Sequence, residues 1–158
     1  MAEFPFILCA DDYAISPAVS AGVREALAAG RLNATGAKTN PPDWPAAPPL
    51  LRPFLERAQA GVHLNLTAGA PLSACPDLAP DGRLPPIGFY LRARRLAPEL
   101  ARQIGAEIAA QFDAFEAGLG RAPDFVDGHQ HVHALRPVRG LLLDEMERRG
   151  WAGRVWLR

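Results

Sequence analysis

"FILCADDYAISPAVSAGVREALAAG", residues 6–30, is the stretch on which the architecture turns. Its first five residues form an apolar run too short for a helix. Asp11 and Asp12 close it, so residues 6–10 read as a buried strand. Helix signals follow at once. Ser16 offers an N-cap oxygen, Pro17 stands at the first helical position where its missing N–H costs nothing, and Gly30 supplies the stop. A strand leading directly into a capped helix is the opening of a β/α unit.

Working outward, the alternation repeats. "NATGAKTN" (33–40) is a second, weaker strand candidate, the proline-rich stretch 41–53 reads as a loop, and a short helix is expected from Pro53 to Ala60. "GVHLNLT" (61–67) alternates strictly, with Val62, Leu64 and Leu66 on one face and His63, Asn65 and Thr67 on the other. Residues 68–90, rich in proline and glycine, read as a long irregular loop of the kind that often serves as a lid or binding loop. From Pro98 to Gly118 the chain is helical, because Leu100, Ile104, Ile108, Phe112, Phe115 and Leu119 recur at helical spacing. A strand around Asp124–Asp127, a helix from Pro137 to Arg149 and a last short strand, "RVWL", follow. The class is therefore α/β with about five parallel strands, either an open doubly wound sheet or a partial or reduced (β/α) barrel. In both, functional residues gather at the carboxyl ends of the strands.

Composition narrows the function classes. A chain of 158 residues suits one domain, 1–158, able to bury roughly 70% of the surface its unfolded form exposes. Seventeen basic side chains balance seventeen acidic ones, so no net field attracts nucleic acid or an anionic membrane. The arginines of "LRARRLAP" (Arg92, Arg94 and Arg95) read as a solvated face. Two cysteines, Cys9 and Cys75, are too few for a disulfide framework. The opening apolar segment lacks the basic flank of a signal peptide, and no run approaches the ~20 apolar residues of a membrane span. A soluble cytoplasmic protein is the expectation.

The strand-end rule brings distant residues together. Asp11 and Asp12 end the first strand, His63 lies in the third, and His129 follows the fourth. Two imidazoles and a carboxylate are a common ligand set for a divalent ion that keeps an open position. Adjacent side chains diverge on an extended strand, so Asp11 and Asp12 need a turn to share a site. One would then bind the ion while the other accepts a proton. In "FVDGHQHVHALRP" (125–137), His129, His131 and His133 alternate after Asp127, which either orients a ligand imidazole or caps the following turn. An extended chain puts all four on one face, whereas a helix unites His129 and His133. Spacing alone leaves the choice open.

Three segments in order, "ADDYAISPAVSAGVREALAAGRLNATG", "GVHLNLTAGAPL" and "DGHQHVHALRPVR", resemble the YdjC-like family of carbohydrate deacetylases, within the broad glycoside hydrolase/deacetylase group. The resemblance runs over most of the chain, and the set of three is specific where any one alone is weak. It implies a partial barrel of the glycoside hydrolase/deacetylase kind. It also implies an N-acetylated amino sugar or short oligosaccharide as substrate and a divalent metal, magnesium or zinc, held by Asp12, His63 and His129. Asp11 matches the proposed general base, and His131 or His133 would protonate the departing amine. Hydrolysis of a phosphoester or glycosidic bond, and a catalytically inactive sugar-binding or assembly domain, are the competing readings. Members of the family usually run longer. The expectation is either a missing C-terminal part of the barrel or a homodimer in which a second copy covers the open edge. Lys38 stands where the family usually has an apolar residue. A buried lysine is costly, so it is expected either to reach the site rim or to sit in a less buried segment.

Overall fold

The computed structural model describes residues 6–93 and 95–158. Five strands form one sheet: β1 (Cys9–Tyr13), β2 (Ala34–Ala37), β3 (Gln59–Leu64), β4 (Phe125–Gly128) and β5 (Trp156–Leu157). Their spatial order is β1-β2-β3-β4-β5 and every neighbouring pair is parallel. A doubly wound sheet would reverse direction at a switch point. This one does not, and right-handed crossovers then put successive helices on the same face, as in a (β/α) barrel. Among the described residues β1 and β5 are the two edges, so the barrel is partial.

The first β/α unit forms as its caps require. Ser16 is the N-cap of α1 (Pro17–Ala28), its hydroxyl accepts from the Val19 N–H, and Gly30 takes the left-handed φ of +65° just past the helix. The strand, however, lies later than residues 6–10. Phe6, Ile7 and Leu8 are exposed, and the parallel ladder begins at Cys9 paired with Ala34. Asn33 explains the shift. Its side-chain oxygen accepts from the Leu8 N–H at 2.7 Å and its side-chain amide donates to the Phe6 carbonyl at 2.8 Å, so a side chain replaces all of the backbone partners there but one, the Asn33 N–H on the Leu8 carbonyl at 3.2 Å. The apolar run marks the approach to the sheet rather than the strand.

The proline-rich stretch is more ordered than its composition suggests. A 3₁₀ turn at Trp44–Ala46, the short α2 (Pro48–Leu51) and a second 3₁₀ turn at Arg52–Phe54 fill it. The helix expected over Pro53–Ala60 therefore lies upstream, and Gln59 and Ala60 already belong to β3. Prolines at the first positions of each turn are compatible with helical φ and cost no hydrogen bond. The irregular loop after β3 is also shorter than expected, since α3 (Ile87–Arg92) takes its last residues. Arg92 ends α3 and is exposed with Arg95; Arg94 lies outside the described residues.

Helix α4 (Pro98–Leu119) organises the core. Ile104, Ile108, Phe112 and Phe115 are fully buried along one stripe. Each contributes about 1.5–3 kcal/mol relative to exposure. Beside this stripe runs a buried polar row absent from the sequence reading. Gln103 accepts from the N–H groups of Asp77 and Leu78. Glu107 accepts from Leu72 N, Ser73 N and Ser73 Oγ, and Gln111 exchanges two hydrogen bonds with the backbone of Asn65. The row supplies partners to loop backbone that would otherwise be buried unpaired. Its effect is to fix the chain from Asn65 to Leu78 beside the carboxyl end of β3. Helix α5 (Arg136–Arg148) then packs on α4, and Arg149 joins Asp113, Glu116 and Glu145 across the two.

Candidate metal centre

Asp11 and Asp12 share a site because β1 is bulged between them. Ala10 pairs with Thr35 and Tyr13 with Ala37, so three steps on β1 match two on β2. Asp12 takes φ +63°, a left-handed conformation unusual for a residue with a Cβ, and Ala14 follows at +71°. The extra residue re-aims the two carboxylates at the end of the sheet. Strain of this kind persists only where the surroundings over-determine it, and it clusters at functional sites.

The bulge brings Asp12 Oδ1 to the histidines. His129 Nδ1 lies 3.1 Å from it and His63 Nε2 3.6 Å. His63 is buried, whereas Asp12 and His129 are half-buried. The rings of His63 and His129 meet edge to face at 5.6 Å. His63 is in register with Asp127 on the neighbouring strand, and its Nδ1–H donates to Asp127 Oδ1 at 2.7 Å. That bond fixes the tautomer, leaving the Nε2 lone pair on the Asp12 side. Gly36 makes room, since a Cβ there would stand 3.2 Å from His63 Cβ and 3.5 Å from Asp127 Oδ1.

The histidine run is neither extended nor helical. After β4 it turns through Gln130 and His131 at φ +54° and +56° before reaching Ala134. His129 is thereby turned into the site, while His131 is exposed. His133 donates Nε2–H to the Arg158 carbonyl at 3.0 Å, and its Nδ1 is buried without a partner among the described residues. Of the three, only His129 contacts Asp12 within 4 Å.

Two further residues complete the constellation. Arg158 NH2 donates to both oxygens of Asp11, at 2.6 and 2.8 Å, and lies 2.8 Å from Asp127 Oδ2. It thus ties the carboxylate on β1 to the one behind His63. Arg158 was missed in the sequence, although its place directly after β5 meets the strand-end rule. Lys38, expected either to reach the rim or to sit in a less buried segment, reaches the site from a buried position. It is 1% exposed and its Nζ lies 3.1 Å from Asp12 Oδ1.

Charge follows this geometry. Burial works to raise the Asp12 carboxyl, but contact with Lys38 and then the charges of Lys38, His129 and His63 outweigh it and hold it below the usual range. Burial lowers His129, and the Lys38 charge lowers it further. Burial likewise lowers His133. Cys9, next to the site, has its thiol pushed up to about 12 by burial, which makes it an inert packing group rather than a nucleophile.

Asp12 Oδ1 is buried and, although three nitrogens approach it, has no well-directed hydrogen-bond donor among the described residues. A carboxylate oxygen and two imidazole nitrogens within 4.8 Å of one another fit a divalent ion better than they fit each other. The residues present therefore suit a metal.

Singly wound parallel α/β strands with an Asp–His–His set at their carboxyl ends define the class of protein. The chain belongs to the YdjC family of YdjC-like proteins, which it matches over residues 5–158. It is 34% identical over 154 residues to a chitooligosaccharide deacetylase of Klebsiella pneumoniae (strain 342), covering 97% of this chain and 60% of that protein. A carbohydrate deacetylase of Mus musculus is 31% identical over 150 residues, 91% of this chain and 47% of its own length. A crystal structure from Enterococcus faecalis V583, provisionally described as a cellobiose-phosphate cleavage protein, superposes with a TM-score of 0.75 at 26% identity, over 96% of this chain and 57% of that one. The chain thus spans about half to three-fifths of the length of these relatives.

Proposed function

We propose that this chain carries the metal-binding half of a carbohydrate deacetylase that hydrolyses the acetamide of an N-acetylated amino sugar or short oligosaccharide. The observation that carries this reading is the convergence of Asp12 Oδ1, His63 Nε2 and His129 Nδ1 on one point, with Asp11 beside them. The names of the Klebsiella and mouse relatives support the substrate class.

Asp12, His63 and His129 would hold the ion. When bound, a divalent cation supplies Lewis-acid polarisation of the acetyl carbonyl and acidifies water at neutral pH. Asp127 holds His63 in the ligating tautomer through Nδ1. Asp11 accepts the proton of the attacking water. The paired hydrogen bonds from Arg158 keep its carboxylate oriented and tie it to Asp127. Protonation of the leaving amine falls to the histidine run. Either His131, whose ring makes no hydrogen bond among the described residues, or His133, whose Nε2–H is engaged by the Arg158 carbonyl, would supply that proton.

The test is acetate release from N-acetylated chito-oligosaccharides by chelated and metal-replete protein. Asp12→Ala should lose both metal and turnover. Asp11→Ala should keep the metal and lose roughly 10²–10⁴-fold in rate, the range for removing a general base. Loss of metal in Asp11→Ala would exchange the two roles. A folded, metal-replete protein that releases no acetate from a panel on which its longer relatives do release acetate would refute the deacetylase reading.

A further inference from the structure

Lys38 has no role in the reaction described above, yet it is among the most deeply buried large side chains of the protein. It follows β2 directly, and its N–H donates to the Tyr13 carbonyl at 2.9 Å, which places its backbone against the bulge of β1. Its side chain runs inward and its Nζ ends 3.1 Å from Asp12 Oδ1. Asp12 is the one acidic group within ion-pair distance of it among the described residues. A cation of this kind normally snorkels to water. Here it is aimed at the oxygen that both ligand histidines face.

We propose that Lys38 is a tethered counter-cation of the metal centre, which neutralises Asp12 when no divalent ion is bound and opposes the ion when one is. The inference rests on the metal-binding reading given above. Its physical basis is a conflict over one oxygen. A partly buried carboxylate needs a compensating charge, and the neutral imidazoles that ligate a metal bring none. Lys38 supplies it. The contact is a charge contact rather than a directed hydrogen bond, since Oδ1 lacks a well-aligned donor, so a second cation can replace it. A divalent ion bonded to Oδ1 at ~2 Å would come within about 5 Å of an ammonium placed 3.1 Å from the same oxygen. Like charges at that separation, away from bulk water, repel strongly. The predicted outcome is a centre that stays folded without metal and holds its ion weakly, for ready exchange.

The experiment compares the full chain with Lys38→Met, which keeps length and burial but removes the charge, with Lys38→Gln as a second neutral variant and Lys38→Arg as a charged control. Each protein is chelated, then titrated with Zn²⁺ and with Mn²⁺ in a calorimeter, and its thermal unfolding is followed with and without each ion. The neutral variants should bind at least about tenfold more tightly than the parent, a modest share of the repulsion expected at this distance. They should also melt lower than the parent when chelated and regain stability on adding metal. Lys38→Arg should stay near the parent. Equal affinities in the parent and both neutral variants overturn the inference while leaving the metal site standing. A neutral variant that remains unfolded with metal present also overturns it, because the ion then fails to replace the ammonium. Failure of every protein to take up either ion overturns both the inference and the reading beneath it.

Discussion

Replacing Asp127 by asparagine isolates the contribution of the carboxylate behind His63. Asp127 is 2% exposed; its Oδ1 accepts from His63 Nδ1–H at 2.7 Å, and its Oδ2 makes a charge contact with Arg158 at 2.8 Å without a directed hydrogen bond. Asparagine has one carbonyl oxygen to offer. If it faces His63, the amide N–H₂ meets the Arg158 guanidinium, donor against donor; if it faces Arg158, His63 Nδ1 loses its acceptor. Arg158 keeps two hydrogen bonds to Asp11 in either case, so the first arrangement is the less costly. What is lost is the charge-assisted excess of the His63 bond over a neutral one, about 1–1.5 kcal/mol. At about 1.4 kcal/mol per factor of ten, that predicts roughly tenfold weaker metal binding, at the low end of the range typical of outer partners of ligand histidines. Calorimetric titration of chelated protein with Zn²⁺ measures it, with circular dichroism to show that the fold is kept. A folded Asp127→Asn variant with parental affinity would refute the assignment of His63 as a ligand held by Asp127.

Two other perturbations probe the scaffold and the protonation states. Glu107→Ala should destabilise the protein by about 2 kcal/mol or more, because Leu72 N, Ser73 N and Ser73 Oγ all lose the buried carboxylate that they share from part-buried positions. Denaturant unfolding reads this directly, and a loss below about 0.5 kcal/mol would mean that the loop is not held by this helix. Chelated protein should also lose stability on acidification. His129 and His133 are depressed below 6.5 by burial, so the unfolded chain binds more protons and their contribution, full above 6.5, fades as pH falls through the folded values. Asp12, held below 3.8, adds a second loss of the same sign in stronger acid. A melting temperature that does not change between pH 7.5 and 5.5 would contradict the histidine assignment.

Much of the site was legible because its chemistry is local. "ADD" at the end of an apolar run, a histidine on an alternating strand and a second histidine after another strand are each visible as patterns. The strand-end rule of parallel sheets predicts that they meet. The sequence could not show how. Adjacent aspartates on a regular strand diverge, and only the bulge with Asp12 at φ +63° reconciles them. The histidine run offered an extended or a helical geometry and adopted neither, since two left-handed residues lie inside it. Arg158 carried the strand-end signal directly after β5, but nothing local names its partners Asp11 and Asp127, which are remote in the chain. Gln103, Glu107 and Gln111 recur every four residues beside the apolar stripe. That spacing was available, but a polar row gives no sign of burial until a loop is laid across it.

Local sequence thus determined the alternation of strand and helix, the capped start of α1, the stripe of α4 and the residue types suited to a metal. These depend on periodicity and on chemistry within a few residues, which any chain carries in its order. Tertiary structure alone decided how the bulge turns Asp12 toward both imidazoles, how the histidine run bends, and that Lys38 ends on the same oxygen. The reason is physical. A parallel sheet makes its contacts between residues separated by whole crossovers, and at such separations the free energy is set by packing and shared charge, not by neighbours in sequence.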